Sequence, residues 1–202
     1  MERAIYQLPL PQEICSKILM FACKSPHTGL GVGLLKKKLN ERNLDIPEND
    51  ENVTHICCIP QYSSINIYFY SLFKNLTEIS LAGHIGVSGD IADLKLLPNL
   101  TVIHFAVTMV TGDIEHLKSL PNLTSIALGL TSVTGDIIHL KSLPKLTEIR
   151  LSEAHVMGDI KHLKTLPNLT YIDISWTGVT GDGNAFCNYR NNTGLESCEL
   201  YM

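Results

Sequence analysis

Three groups of side chains in this chain have types that chemistry can use, and their spacing decides what each could do. His116, His139 and His162 stand 23 residues apart, with Asp93 one step earlier. Imidazoles are common metal ligands, but no carboxylate is fixed between these three and each is one copy of a regular pattern. A solvated column is the expectation, with no metal and no cofactor. His104, Ser125 and Asp173 are the residue types of a nucleophilic hydrolase, yet no motif frames them: the chain has no G-x-S-x-G, no H-E-x-x-H and no Walker loop. Gly29-x-Gly31-x-Gly33 is followed by Leu34 and so lacks the last glycine of a dinucleotide loop. No catalytic residue is assigned, and the chain reads as non-enzymatic. The third group is Glu148, Arg150, Tyr171, Asp173 and Trp176, with His104 beside them in the pattern. Aromatic rings and arginine anchor protein interfaces. Trp176, the only tryptophan, has two readings: an anchor for a partner, or a cover over an apolar end of the fold.

A repeat positions these residues. Gly-Asp-Ile recurs at Gly89, Gly112, Gly135 and Gly158, with an altered copy at Gly181-Asp182-Gly183, each 23 residues after the last. A fixed period in this range marks a solenoid. Aligned on Leu100, Leu123, Leu146 and Leu169, the unit is L-T-x-[IV]-x-[LF]-x-x-T-x-V-T-G-D-I-x-H-L-K-S-L-P-N. Its apolar positions, illustrated by Leu123, Ile126, Leu128, Ile137, Leu140 and Leu143, must face inward. Alternation at the fourth and sixth positions predicts a strand, and the Gly-Asp and Pro-Asn pairs predict turns. One coil cannot bury its apolar side alone, but stacked coils can.

The repeat extends beyond the clear copies. Leu76 opens a coil with one extra residue near His84. Val53 opens a degenerate first coil that places Ile56, Cys58, Ile67, Tyr70 and Phe73 inward. Leu195, Cys198 and Leu200 repeat the strand pattern as a closing strand. Residues 51–202 thus hold about six coils plus that strand. Outward strand positions vary from coil to coil: Glu78, Val102, Ser125, Glu148 and Tyr171 at the third, Ser80, His104, Ala127, Arg150 and Asp173 at the fifth. The threonine column Thr77, Thr101, Thr124, Thr147 and Thr170 reads as β-favouring chemistry rather than an ice-binding row.

These residues resemble the leucine-rich repeat proteins, whose plant-type pattern is L-x-x-L-x-x-L-x-L-x-x-N-x-L-x-G-x-I. The resemblance covers roughly residues 53–200. It implies an α/β solenoid: a right-handed superhelix with a parallel β-sheet on its concave side and a helical N-terminal cap. Seven strands about 4.8 Å apart would make a sheet about 30 Å across, wide enough for a peptide or a small domain edge. It also implies a protein-protein interaction scaffold that binds a partner on the concave face, through Trp176, Tyr171, Asp173, Arg150, Glu148 and His104. The chain departs from the family at its inward asparagine, which is Thr108, Thr131 and Thr177 here and Ala154 in one coil.

Residues 1–50 form a separate segment. Leu10-Pro11-Gln12-Glu13-Ile14 opens a helix, with Pro11 suited to its first turn and Glu13 to its positive end. Ile14, Ile18, Leu19 and Phe21 give one broad apolar side. Two readings stay open: a cap over the solenoid's end, or the first helix of an F-box, whose pattern L-P-x-E-[IL]-x-x-x-I-[LF] it resembles. The second reading implies that Leu10, Pro11, Ile14, Ile18 and Leu19 bind the small adaptor subunit of a cullin-type ubiquitin ligase, with the chain acting as substrate receptor. Residues 39–50 read as a linker.

Composition narrows the partner class. A net charge of −4 gives no electrostatic case for nucleic acid. No run of 18 apolar residues is present, so no membrane span is expected. The start lacks a charged and then apolar leader, and the six cysteines show no C-x-x-C spacing. The expectation is a cytoplasmic, reduced protein. Asn-Leu-Thr sequons recur with the repeat; if the chain were secreted, Cys187 and Cys198 would be the candidates for a cap disulfide.

Overall fold

The computed structural model describes residues 54–56 and 65–202. The N-terminal helix with its cap and F-box-like readings, the linker and Cys58 lie outside the described residues. Regular coils start with a three-residue strand that turns one isoleucine inward between two outward side chains. These are β3 (Glu78–Ser80), β5 (Val102–His104), β7 (Ser125–Ala127), β9 (Glu148–Arg150) and β11 (Tyr171–Asp173). With β1 (His55–Ile56) and β13 (Glu199–Tyr201) at the ends, they form a parallel seven-stranded sheet. Its register advances one coil per strand, so Ile79, Ile103, Ile126, Ile149 and Ile172 stack in one inward row. Leu123, Ile126, Leu128, Ile137, Leu140 and Leu143 are all fully buried, each contributing about 1.5–3 kcal/mol.

The Gly-Asp pair, expected to be a turn, belongs to a second strand instead. Strands β2 (Ile65–Asn66), β4 (Val87–Asp90), β6 (Met109–Asp113), β8 (Ser132–Asp136), β10 (His155–Asp159) and β12 (Gly178–Thr180) form a parallel six-stranded sheet. Glycine makes this possible. Gly135 has φ +114°, and a Cβ on it would overlap the Asp113 carboxylate, with Cγ at 2.8 Å and Ile114 Cγ1 at 3.0 Å. The aspartate then ends the strand and caps the 3-10 helix that follows. Asp113 accepts from the Glu115 N–H at 2.7 Å and Asp136 from the Ile138 N–H at 2.8 Å. Aspartates at the same place in other coils do the same, Asp90 through the Ala92 N–H and Asp159 through the Lys161 N–H. Each carboxylate is oriented by a helix-start N–H, and the Lys161–Asp159 pair at 2.8 Å adds to this in one coil.

Coils are joined by two side-chain ladders. Thr101, Thr124, Thr147 and Thr170 each donate their hydroxyl to the backbone carbonyl of the threonine one coil back, at 2.9–3.1 Å. Those hydroxyls are engaged inside the stack, which removes the free lattice an ice-binding row needs. At the Pro-Asn corner, Asn122 donates to the Pro98 carbonyl at 3.2 Å and Asn168 to that of Pro144 at 2.9 Å. The inward Thr108, Thr131 and Thr177 do a different job from a between-coil ladder. Each donates to the carbonyl three residues earlier, at 2.6 Å, and closes its own turn.

The last coil departs from the pattern. Gly183 stands where other coils have a buried isoleucine, and a ten-residue α-helix, α1 (Gly183–Asn192), replaces the 3-10 turn. Asp182 still caps it, now through the N–H three residues on, at 3.0 Å. The longer helix shifts the closing strand: Leu200, not Cys198, stands opposite Ile172.

Candidate functional site

On the outer face of the seven-stranded sheet the variable residues touch one another. His104 Nε2 lies 2.8 Å from Ser125 Oγ, which donates to Glu148 Oε2 at 2.7 Å. Arg150 pairs with the same glutamate. Its guanidinium lies 4.4 Å from the centre of the Tyr171 ring, and Tyr171 packs against Tyr201 with ring centres 5.6 Å apart. The strand pairing explains this order. Ser125, Glu148 and Tyr171 are register partners in β7, β9 and β11, and Glu199 of β13 follows them. A cation over an aromatic face and a tilted ring pair each contribute about 0.5–1.5 kcal/mol, so the array holds its shape before any partner arrives.

Electrostatics fix the direction of these bonds. Burial works to raise the Glu148 carboxyl, but hydrogen bonds from Ser125 and Arg150 and the Arg150 charge outweigh it, holding the group below its usual range. As a carboxylate it only accepts. The Ser125 proton therefore points at Glu148, and His104 donates its Nε2–H to Ser125. Burial also pushes His104 below its ordinary value, against the pull of Glu148 and Glu78, so it is neutral at pH 7. Asp173 is not part of this chain of bonds; its Oδ1 accepts from the Ser175 N–H and hydroxyl.

Of the sequence candidates, His104, Glu148, Arg150, Tyr171 and Asp173 share this face. Trp176 does not lie on the strands. It follows the end of β11 at φ +59° and is 86 % exposed, so it does not cover the end of the stack. Ser125, only 8 % exposed, and Tyr201 were missed as site residues. Ser125 looks like filler until its two partners are known, and Tyr201 follows from the shifted closing strand. The histidine column lies on the 3-10 side, and among the described residues no group of three or more potential ligands could hold a metal.

No family model and no curated relative matches the chain by sequence. Among solved structures it superposes on an internalin from Listeria monocytogenes with TM-score 0.55 and 20% identity, over 69% of this chain and 39% of that one. It also superposes on the LRR ectodomain of the Arabidopsis receptor kinase HAESA, with TM-score 0.56 and 23% identity, over 67% of this chain and 24% of that one. The LRR ectodomain of SOBIR1 from Arabidopsis thaliana gives TM-score 0.56 and 20% identity, over 64% of this chain and 74% of that one. The fold is a leucine-rich repeat solenoid. This solenoid spans well under two thirds of the internalin and of HAESA, and at these identities the likeness concerns the fold alone. Within it, the short strands carry the polar array on one sheet, and the corner before the second sheet carries Trp176.

Proposed function

We propose that the chain is a non-enzymatic protein-binding module that holds a peptide or protein edge on the concave face of its seven-stranded sheet. One observation carries this reading. Outward residues that vary between coils are assembled into a connected, preorganised array, Ser125–Glu148–Arg150–Tyr171–Tyr201, and preorganisation lowers the ordering cost of association. In the solved complexes, HAESA is bound to an N-terminally extended IDA peptide hormone ligand and RGFR1 to RGF2; peptide recognition by this chain is part of the proposal. The proposed setting is the cytoplasm, in keeping with the free thiols Cys187 and Cys198. Burial pushes the Cys198 thiol up to about 11, which keeps it protonated and unreactive.

A second reading, substrate receptor of a cullin-type ubiquitin ligase, rests on the Leu10-Pro11-Gln12-Glu13-Ile14 motif, outside the described residues. One experiment addresses both: affinity capture from source-cell extract with the intact chain and with a form lacking residues 1–50. A ligase adaptor lost on truncation supports the receptor reading. A partner retained on truncation, and bound at least about tenfold more weakly by Arg150→Ala/Tyr171→Ala, supports the sheet-face reading. Equal binding to that double variant removes the face from the account.

A further inference from the structure

Charge is divided between the two sides of the coils. From residue 65 onward every lysine lies on a 3-10 turn or on the short stretch leading from it back to the strands. The strands of the seven-stranded sheet carry four carboxylates, Glu78, Glu148, Asp173 and Glu199, and one guanidinium, Arg150. Four negative charges against one positive leave this face at −3, histidines aside.

The single guanidinium is already committed. Arg150 pairs with Glu148 and acts on Asp173 as well, and it lies against the Tyr171 ring. It therefore offsets the middle of the face, where Glu148 also accepts from Ser125 and Asp173 from Ser175. The two outer carboxylates have no lysine or arginine partner among the described residues. Glu78 faces the His55 imidazole at 3.7 Å, and Glu199 is exposed on the closing strand.

Register sets the distance between these two. Glu78, Val102, Ser125, Glu148, Tyr171 and Glu199 are successive partners across the sheet. Strands about 4.8 Å apart therefore place Glu78 and Glu199 about 24 Å from each other. An extended chain at about 3.3 Å per residue covers that span in about seven residues.

We propose that the segment held on this face is basic and extended, crossing the strands with lysines or arginines over Glu78 and Glu199, about seven residues apart. The proposal rests on the sheet-face reading and gives the partner its chemistry. An acidic segment is disfavoured, because it meets a net negative face whose guanidinium is taken. Opposite charge across an interface speeds encounter and fixes register more than it adds affinity. The bonded centre of the face then holds the segment, and its two ends align it.

The test is selection of random dodecapeptides, displayed on phage, against the full chain. Recovered peptides are expected to be enriched in lysine and arginine, in pairs about seven residues apart, and to bind more weakly as salt rises. Glu78→Gln/Glu199→Gln should weaken them about tenfold with the circular dichroism spectrum unchanged, and Arg150→Ala/Tyr171→Ala should weaken them as well. Acidic or uncharged peptides that are lost on Arg150→Ala/Tyr171→Ala would overturn the basic-segment proposal and leave the sheet-face reading standing. Basic peptides indifferent to Glu78→Gln/Glu199→Gln would overturn it too, since their charges would then be met elsewhere. Peptides indifferent to both double variants, or no recovered peptide, would remove the face and the proposal together.

Discussion

The side of the solenoid that repeats and the side that varies are built by different rules. On the repeating side, threonine, asparagine, glycine and aspartate occupy the same place in coil after coil, and the threonine, asparagine and aspartate side chains are bonded to backbone within the stack. On the varying side, outward residues bond to one another across strands or, at the corner, stand exposed at disfavoured backbone angles. Periodicity therefore marks cohesion between coils, and departures from it mark surface available for recognition. Substitutions on the two sides should separate in the same way, stability moving on one and binding on the other.

The sharpest break lies where periodicity ends. Arg190 is fully buried and donates to the carbonyls of Leu166 at 2.7 Å, Leu169 at 2.6 Å and Glu196 at 3.1 Å. It holds the carbonyls on either side of the last Pro-Asn corner, where in the other coils the next coil's asparagine bonds the proline carbonyl. Arg190→Leu leaves these carbonyls unsatisfied and is expected to cost about 3–4 kcal/mol, read as a drop in the urea midpoint. A cost under about 1 kcal/mol would show that the end closes by apolar packing alone.

Next in size is Gly135→Ala, which combines φ +114° with overlap on Asp113 and Ile114. About 2–3 kcal/mol is expected. Gly194→Ala, also at positive φ but with open space around it, should cost about 1 kcal/mol. Equal losses would mean that backbone angle, not the close approach of coils, sets the glycine column. Asp136→Ala removes one helix-start acceptor and should cost about 1 kcal/mol.

How much of this was legible follows from the same division. The inward positions could be read because burial permits few residue types, and all six in the Leu123 coil are fully buried. The second sheet was not legible, because Thr-Gly-Asp is turn chemistry unless the neighbouring coil's carboxylate holds it extended. The register of the closing strand was hidden because α1 adds residues that no earlier coil has. At the site, the outward columns were readable but the connections were not. Nothing in the sequence says that Ser125 joins His104 to Glu148, or that the strand ends before Trp176.

On the varying side the stability effects should be small or reversed. Val107→Gly relieves a branched residue at φ +58° and should raise stability by about 0.5 kcal/mol. A loss would mean that the Val107 side chain contributes to cohesion after all. His104 gives a pH signature. Its folded value lies below the ordinary 6.5, so the unfolded chain binds the proton more readily. Stability is full above that value, falls as pH drops through it, and levels off below the folded value. His104→Gln should flatten that part of the profile in urea midpoints taken across the range. An unchanged profile would place the titration elsewhere.

The most direct test of the division is hydroxyl-radical footprinting of the chain with and without its captured partner. Tyr171 and Tyr201 report the sheet face, Trp176 the corner, and Tyr189 on α1 the side of the molecule that carries the helical turns. The account predicts that the partner shields Tyr171 and Tyr201, with or without the corner, and leaves Tyr189 as reactive as before. Shielding of Tyr189 with Tyr171 and Tyr201 unchanged would contradict it.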